Sequence, residues 1–407
     1  MKRKVLSIGC RVLVIGFLIS VIAFPGFGSI DAKEARGVTD DTMKIGAFGD
    51  LTGPIAQTWK PLGQALRTYF QNVNDKGGIH GRKIKYILED DRYSIPMALS
   101  AFKKLVFRDK VLALVPAASG AGHTHAIVPL CQKEKVPLIA TTTNRKIFEP
   151  VQRYIFGPLP YYEDQVCLEF EYIFEDLKLS NPRIALAYPD QEAGKNTRDS
   201  ARRQAKAYNV KILREVVIST GAIDFTSQIL NLKRVKPDYI FLHAYTGSGS
   251  AFMRDAMKFG LSATFIISQY GCDEETLMLA GKAAKTMIGA NGFASWHDNS
   301  PGMVKLREIS LKYNPSLKRP GRVYMQGWTI ATIFCEGLKK TGRDLNEETL
   351  VEGLERIKGL DTGGVTGIID FGPDDHKALE YSRLFKTDVE KKVLVPITDW
   401  RKARYKK

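Results

Sequence analysis

The side chains whose types could perform catalysis or bind a metal are a histidine pair and an acidic pair. His123 and His125 flank Thr124 near the predicted start of a helix, but a metal site needs further convergent ligands. We therefore interpret both histidines as surface or helix-capping residues and predict no metal site. Asp90 and Asp91 have the types of an acid–base pair, yet adjacent residues at a strand end point apart. Neither pair indicates a catalytic centre.

The motifs of the common hydrolases, metalloproteases and nucleotide-binding proteins are missing from the sequence. The Gly-Ser-Gly at 247–249 lacks the outer residues of a nucleophile elbow, and neither an H-E-x-x-H nor a Walker pattern occurs. We predict no catalytic residues, no enzymatic activity and no cofactor. Of the five cysteines, Cys10 lies in the N-terminal segment described below. The other four are far apart and form no C-x-x-C pair, which argues against zinc, and they are either disulfide partners or buried apolar residues: Cys131, Cys167, Cys272 and Cys335.

The first 28 residues have the composition of a secretory signal peptide. Lys2, Arg3 and Lys4 precede an apolar stretch at 12–24, and small residues follow it. A membrane anchor is the alternative, but the stretch is shorter than the roughly 20 residues of a membrane-spanning helix. We predict removal of residues 1–28, with cleavage after Gly28, Ser29 or Ala32, and a mature protein outside the cytoplasm. The loss of four basic residues and no acidic one lowers the net charge from +16 to +12.

The remaining positive charge is spread along the chain in short clusters such as 401–407. It could attract anions or anionic lipid headgroups, but we favour an ordinary solvated surface. No nucleic-acid-binding pattern accompanies it, so we predict no nucleic-acid partner.

Strand-like and helix-like segments alternate from Thr42 onward, which predicts parallel sheets covered by helices. A first run ends at Asn144 and a second begins after Pro160, so we predict two doubly wound α/β lobes. The predicted strands lie at 43–48, 83–88, 111–115, 136–140, 183–187, 210–217, 239–244 and 264–268. The predicted helices lie at 64–74, 97–107, 126–133, 163–177, 197–208, 226–235 and 250–259. A more helical tail follows, with helices at 304–313, 325–340 and 347–357 and strands at 365–371 and 383–387.

Polar loops follow the predicted strands. Ligands of parallel sheets gather beyond the carboxyl ends of the strands, and two facing lobes would bring these loops to one cleft. The loops are 119–122, 141–144, 188–194 and 245–249.

Several segments carry a more specific pattern. They are Leu-Thr-Gly-Pro at 51–54, Asn-Asp-Lys-Gly-Gly-Ile-His-Gly-Arg-Lys at 74–83 with an acidic 89–91, Pro-Leu-Ile-Ala-Thr-Thr-Thr-Asn at 137–144, and Gly-Gly-Val-Thr-Gly at 363–367. In these segments the chain resembles the periplasmic solute-binding proteins of branched-chain amino acid ABC transporters, the Leu/Ile/Val-binding family.

The resemblance implies the type I periplasmic binding protein fold, in which two Rossmann-like lobes with parallel central sheets are joined by a three-strand hinge. We place the crossovers near 156–160, 292–295 and 372–375. Lobe 1 would comprise 39–157 plus 295–372, and lobe 2 would comprise 158–294 plus 373–400.

The resemblance also implies ligand-binding residues on lobe 1. A ligand carboxylate in this family meets hydroxyl and main-chain groups after the third and fourth strands, where this sequence has Ser119, Thr141, Thr142 and Thr143. Helix capping is the alternative role for these hydroxyls. Trp59 follows the first turn, where the family often covers its ligand with a side chain.

On lobe 2, Tyr245 matches an aromatic ligand contact of the family. Tyr270 stands where amino-acid binders place an acid for the ligand ammonium, unless Glu274 or Glu275 takes that position. This departure makes a ligand without an ammonium group credible, such as a small carboxylate, an aromatic acid or an amide.

We therefore expect a monomeric, periplasmic binding component that closes around a small polar molecule and delivers it to an ABC transporter permease in the inner membrane. A ligand-sensing receptor subunit is the alternative function. An enzyme built on the same lobes would need a nucleophile–base pair or a metal triad, which the sequence does not offer.

Overall fold

The structure, a computed structural model, describes residues 35–406. The predicted signal peptide therefore lies outside the described residues. Within the described range, no helix combines the length and the apolar composition that crossing a membrane requires.

Five parallel strands form the first sheet. They are β1 (Thr42–Gly49), β2 (Lys83–Asp90), β3 (Ala113–Ala117), β4 (Leu138–Ala140) and β5 (Ile155–Phe156). Their order is β2-β1-β3-β4-β5. Every residue of β3 is buried, as expected of a parallel strand with helices on both faces. The intervening helices are α1 (Ala56–Asp75), α2 (Ile95–Lys103), α3 (Ala121–Glu134) and α4 (Arg145–Phe148), and a wider turn at Lys104–Arg108 continues α2.

The second sheet contains eight strands. They are β6 (Ile184–Pro189), β7 (Ile212–Ile218), β8 (Tyr239–Leu242), β9 (Thr264–Ile267), β10 (Met287–Asn291), β11 (Tyr381–Asp388), β12 (Val393–Pro396) and β13 (Arg401–Lys402). The order is β12-β11-β10-β9-β8-β6-β7, and β13 pairs with β11. The strands from β6 to β10 are parallel to one another, whereas β11 is antiparallel to β10, β12 and β13. The prediction of a parallel central sheet thus holds for its centre but is wrong for this edge, because the returning chain enters it from the opposite end.

Helices cover both sheets. Those after the first sheet are α5 (Tyr162–Glu171) with a wider turn at Tyr172–Asp176, α6 (Glu192–Ala207), α7 (Thr226–Lys233), α8 (Thr246–Lys258) and α9 (Glu274–Ala280) with a short turn at Gly281–Ala284. The tail supplies α10 (Pro301–Tyr313), α11 (Arg322–Thr341) and α12 (Glu347–Glu355). α11 packs along α1 of the first sheet, and α12 packs on α11. Gly327 permits the close approach, because a Cβ there would collide with the carbonyl oxygen of Leu62.

The chain passes between the two sheets three times. It leaves the first sheet after β5 and enters α5, which packs against β10. It returns after β10 to α10, which packs against α1. It leaves again before β11, where Gly157 and Lys377 of two passing segments form a parallel bridge. These passages occur where the crossovers were expected. The residue bounds of the two lobes stay a prediction.

One predicted strand is wrong, and four strands were missed: β5, β10, β12 and β13. Residues 365–371 form no strand; Ile369 makes single bridges to Leu360 and Leu379. Gly363 and Gly364 have φ values of +67° and +90°, so the chain turns sharply just before this apolar run. β10 was missed because Gly289 interrupts its apolar pattern, as glycine has a low strand propensity.

Candidate functional site

The carboxyl ends of the central strands meet at one small cavity between the two sheets. Its volume is about 20 Å³, which holds roughly one water molecule. Six of the seven residues predicted to bind a ligand line it: Trp59, Ser119, Thr141, Thr142, Tyr245 and Tyr270. The wall is completed by Ile55, Thr58, Leu62, Gly120, Tyr162, Val323 and Gln326. The loops of both sheets therefore converge as the strand-end rule predicts.

Thr143, the seventh predicted residue, lies just outside this wall. Its hydroxyl is buried and has no hydrogen-bond partner among residues 35–406. Its carbonyl oxygen accepts a 3.2 Å hydrogen bond from the main-chain nitrogen of Tyr162, at the start of α5. Thr143 therefore links the fourth strand to the first helix of the other sheet.

Trp59 forms the flat apolar wall that the sequence suggested. Its indole is 3% exposed, and Nε1 donates a 3.5 Å hydrogen bond to the carbonyl oxygen of Ser119. The ring lies directly on Gly49 at the end of β1, where a Cβ would overlap three ring atoms. Glycine at 49 thus allows the first helix to place its tryptophan against the sheet.

Ser119 is bound to a buried carboxylate. Its hydroxyl donates a short hydrogen bond to Oδ1 of Asp91, and its main-chain nitrogen donates to Oδ2 at 3.2 Å. The alternative capping role is not seen, because Gly120 occupies the start of α3 without a side-chain cap. Burial raises the pKa of Asp91, and the hydrogen bond from Ser119 opposes that rise. Since its proton points at Asp91, the Ser119 hydroxyl presents oxygen lone pairs to the cavity.

The threonines after β4 are held by local hydrogen bonds. Thr141 donates from Oγ1 to the carbonyl oxygen of Ala118 at 2.8 Å, and Oγ1 of Thr142 accepts from the main-chain nitrogen of Asn144 at 3.4 Å. The carbonyl oxygen of Thr141 accepts a 3.1 Å hydrogen bond from the hydroxyl of Tyr270 on the second sheet. The two sheets are therefore joined directly through the proposed site.

The second sheet contributes an aromatic cluster. Tyr245 begins α8, and its ring centroid lies 5.6 Å from that of Tyr270, which lies 6.2 Å from that of Tyr162. Burial raises the pKa of all three hydroxyls, so they stay protonated and can donate hydrogen bonds. His243 packs beside this cluster, and burial lowers its pKa to about 4.

Three further side-chain hydrogen bonds connect the two sheets near the cavity. The hydroxyl of Tyr93 donates to Oε1 of Gln191 at 2.8 Å. Glu192 Oε1 accepts from Nδ2 of Asn144 at 2.7 Å and from Nε2 of His125 at 2.8 Å. Gln191 and Glu192 are not among the predicted ligand-binding residues, although both belong to the polar loop after a central strand.

Arg322, the first residue of α11, is a further residue near the cavity that the sequence patterns do not indicate. This side chain is 1% exposed, and its Nη1 donates to Oε1 of Gln326 at 2.9 Å. The guanidinium carbon lies 5.0 Å from the ring centroid of Tyr270. The apolar pattern predicts a helix only from Met325 onward, which leaves Arg322 in the preceding loop.

The remaining candidates for chemistry have structural roles in the described part of the chain. No cluster of three or more metal-ligating residues occurs there. His123 is 6% exposed and packs on Tyr93, so its interpretation as a surface or capping residue is wrong. His125 bonds to Glu192 instead of capping a helix. The four described cysteines are buried and free, which removes the disulfide alternative.

The polar loops at the strand ends of both sheets surround one cavity. This arrangement defines the class of two-lobed solute-binding proteins. A family model for periplasmic binding proteins matches residues 42–392. The chain belongs to this periplasmic binding protein family, which confirms the resemblance. Members of the family are solute-binding transport proteins.

Individual relatives are distant in sequence but similar along most of their length. The leucine-, isoleucine-, valine-, threonine- and alanine-binding protein of Pseudomonas aeruginosa is 22% identical over 339 residues, which cover 83% of this chain and 87% of the relative. A branched-chain amino acid ABC transporter protein from Thermus thermophilus, solved with bound valine, has a TM-score of 0.82 and 23% identity, covering 90% of this chain and 97% of that one. A solute-binding protein of an ABC transporter from Rhodopseudomonas palustris, in complex with 3,4-dihydroxybenzoic acid, has a TM-score of 0.78 and 23% identity, covering 90% and 99%. These structures confirm the predicted fold class.

Proposed function

We propose that this protein is the solute-binding component of an ABC transporter, and that it closes two lobes around a small polar molecule in the central cavity. The observation that carries this function is the convergence of polar loops from both sheets on one cavity. Loops from either sheet alone would form an open edge, whereas loops from both can enclose a guest completely.

Opening of the lobes is part of the proposed function. A cavity of about 20 Å³ is too small for an amino acid or an organic acid. A solute therefore enters only when the two walls separate. The three passages between the sheets are the natural hinges, because motion there leaves both sheets intact.

The proposed ligand-binding residues are those that the sequence analysis selected. Trp59 and the tyrosines Tyr245 and Tyr270 would contact the apolar body of the solute, since aromatic side chains provide large contact areas with a polar tip. Ser119, Thr141, Thr142 and Thr143 would contact its polar groups. The solute is an amino acid or a small organic acid or amide, consistent with the different ligands named for the related proteins.

The cellular setting is also part of the proposal, and membership of the family supports it. We infer a signal peptide at residues 1–28, a monomer in the periplasm and a permease partner in the inner membrane. Size-exclusion chromatography with light scattering tests the monomer, and N-terminal sequencing of exported protein tests the cleavage.

Mass spectrometry of the solute that co-purifies with the exported protein tests the binding function. We expect one small molecule, released on denaturation and rebound in unchanged form with a single saturable affinity. Chemical conversion of that molecule during incubation would instead indicate an enzyme. The absence of any co-purifying or rebinding solute, across amino acids, carboxylates and amides, would exclude the proposed function.

A further inference from the structure

Arg322 carries a buried charge that the protein satisfies only in part. Its side chain is 1% exposed, and Nη1 alone has a partner, Oε1 of Gln326. Nε and Nη2 have no hydrogen-bond partner within residues 35–406. Rings of Tyr270 and Phe293 lie 5.0 and 5.8 Å from the guanidinium carbon. A buried guanidinium with free donors is costly unless an acceptor of opposite charge completes it.

The nearby carboxylates are bonded to other groups. Asp273 lies at the start of α9 and accepts from Thr246 Oγ1 at 2.9 Å and from Thr276 nitrogen at 2.7 Å. Glu274 accepts from the hydroxyl of Ser295 through Oε1, and its buried Oε2 has no hydrogen-bond partner among the described residues. Neither carboxylate is within hydrogen-bond distance of the two free nitrogens of Arg322 in the described part of the chain, although the charge of Asp273 acts on the guanidinium from farther away. The two donors of Arg322 are therefore available to a group from outside the protein.

The guanidinium lies directly behind the cavity wall. Gln326, its hydrogen-bond partner, and Tyr270, whose ring it faces, both line the cavity, as does the adjacent Val323. Arg322 belongs to α11, which packs on the first sheet, whereas Tyr270 follows β9 of the second sheet. Separation of the sheets therefore removes Tyr270 from Arg322 and exposes the guanidinium to the open cleft.

The wall offers nothing that would balance a positive charge on the solute. None of the described residues lining the cavity is acidic. Asp91 lies behind Ser119, but it accepts from the Ser119 hydroxyl and from the main-chain nitrogens of Ser119 and Tyr93. An ammonium group in this cavity would therefore be desolvated without an available carboxylate, at a large free-energy cost.

We propose that Arg322 is the anion-recognition residue of the cleft, and that the solute is a small carboxylate without an ammonium group, its apolar or aromatic body packed against Trp59 and the tyrosines. This inference rests on the proposed solute-binding function and names the substrate class. The carboxylate accepts from Nε and Nη2 of Arg322, a geometry in which guanidinium and carboxylate form paired, charge-assisted hydrogen bonds.

Solutes that differ only in their charged groups test the proposed class of substrate. Calorimetric titration of the exported protein uses 4-methylpentanoate, its amide, and L-leucine, which is the same acid with an α-ammonium group; benzoate and benzamide form a second pair. We expect each carboxylate to bind roughly 10- to 100-fold more tightly than its amide, and 4-methylpentanoate to bind more tightly than leucine. Leucine or either amide binding as tightly as the matching carboxylate would overturn the inference while leaving the binding function intact.

An Arg322→Met variant separates recognition from a structural role. We expect its affinity for the carboxylates to fall roughly 10- to 100-fold, and its affinity for the amides to change little. Because the variant removes a buried, incompletely paired charge, we also expect the ligand-free variant to melt at a higher temperature than the parent. Arg356→Met, on the exposed end of α12, is the matched control and should alter neither property. A lower melting temperature with unchanged carboxylate selectivity would show that Arg322 is structural.

Discussion

Tyr270 of the second sheet donates a hydrogen bond to the carbonyl oxygen of Thr141 on the first sheet, with 3.1 Å between the two oxygens. Both residues line the central cavity, so this bond holds the lobes together where a solute would bind. The same contact that stabilises the closed protein must therefore break before a solute enters.

Tyr270→Phe should favour the open form of the ligand-free protein. The substitution keeps the ring and removes a hydrogen bond worth about 0.5–1.5 kcal/mol. Small-angle X-ray scattering should show a larger radius of gyration than in the parent protein. Tyr313→Phe is the control, because the Tyr313 hydroxyl bonds to Asp75 within the first lobe. Identical scattering curves for the parent and Tyr270→Phe would contradict the idea that this hydrogen bond holds the lobes closed.

Glu192→Ala should weaken closure at the edge of the cavity. It removes the acceptor shared by Asn144 and His125, two contacts from the other sheet. We expect the free energy of opening at this edge to fall by about 1 kcal/mol. Hydrogen–deuterium exchange at the start of α3 and of α6 should therefore become about fivefold faster. Asp190→Ala removes a carboxylate whose ion pair with Lys195 stays within one lobe, and it should leave exchange unchanged.

Ser119→Ala should lower stability as well as binding. Asp91 is fully buried and would lose the hydroxyl donor that Ser119 supplies. We expect the free energy of unfolding in urea to fall by about 1–3 kcal/mol, as for other buried acceptors left short of a donor. Ser316→Ala, at an exposed position with a bond to Asn314, should be neutral. Reduced affinity at unchanged stability would mean that Ser119 does not support Asp91.

The stability that Glu169 and Glu274 contribute should fall as the pH rises from about 4.5 to about 8, whereas His243, with its pKa lowered to about 4, contributes in the opposite direction below about pH 6.5. Burial raises the pKa of Glu169 from 4.5 to about 8 and that of Glu274 to about 7. The folded state therefore binds these protons more tightly than the unfolded chain, and the stabilisation disappears as they are lost. In thermal melts, Glu169→Gln should match the parent near pH 4.5 and exceed it near pH 9. Glu352→Gln, at an exposed position, should follow the parent at both pH values.

Local sequence patterns predicted the elements and the position of the cleft. Ser119 and Tyr270 were selected from the resemblance to the solute-binding family, and both follow strands whose carboxyl ends converge on the cleft. Asp91 and Arg322 could not be given their roles in the same way. The partner of Asp91 is 28 residues away, and the burial of Arg322 results from contact between two sheets. Such contacts depend on how the lobes pack, which periodicity within one segment does not encode. The ligand roles of the seven selected residues stay predictions.

The three passages between the sheets also determine when the protein can become folded. The first sheet is covered by α11 and α12, and the second sheet is completed by β11 to β13, so each half needs residues beyond 320. During synthesis, neither half can be finished before residues beyond 320 have been made, although domains with continuous chains fold one after another. The export proposed above would therefore meet a chain that is still incompletely folded, which is the condition that a protein-conducting channel for extended polypeptides demands.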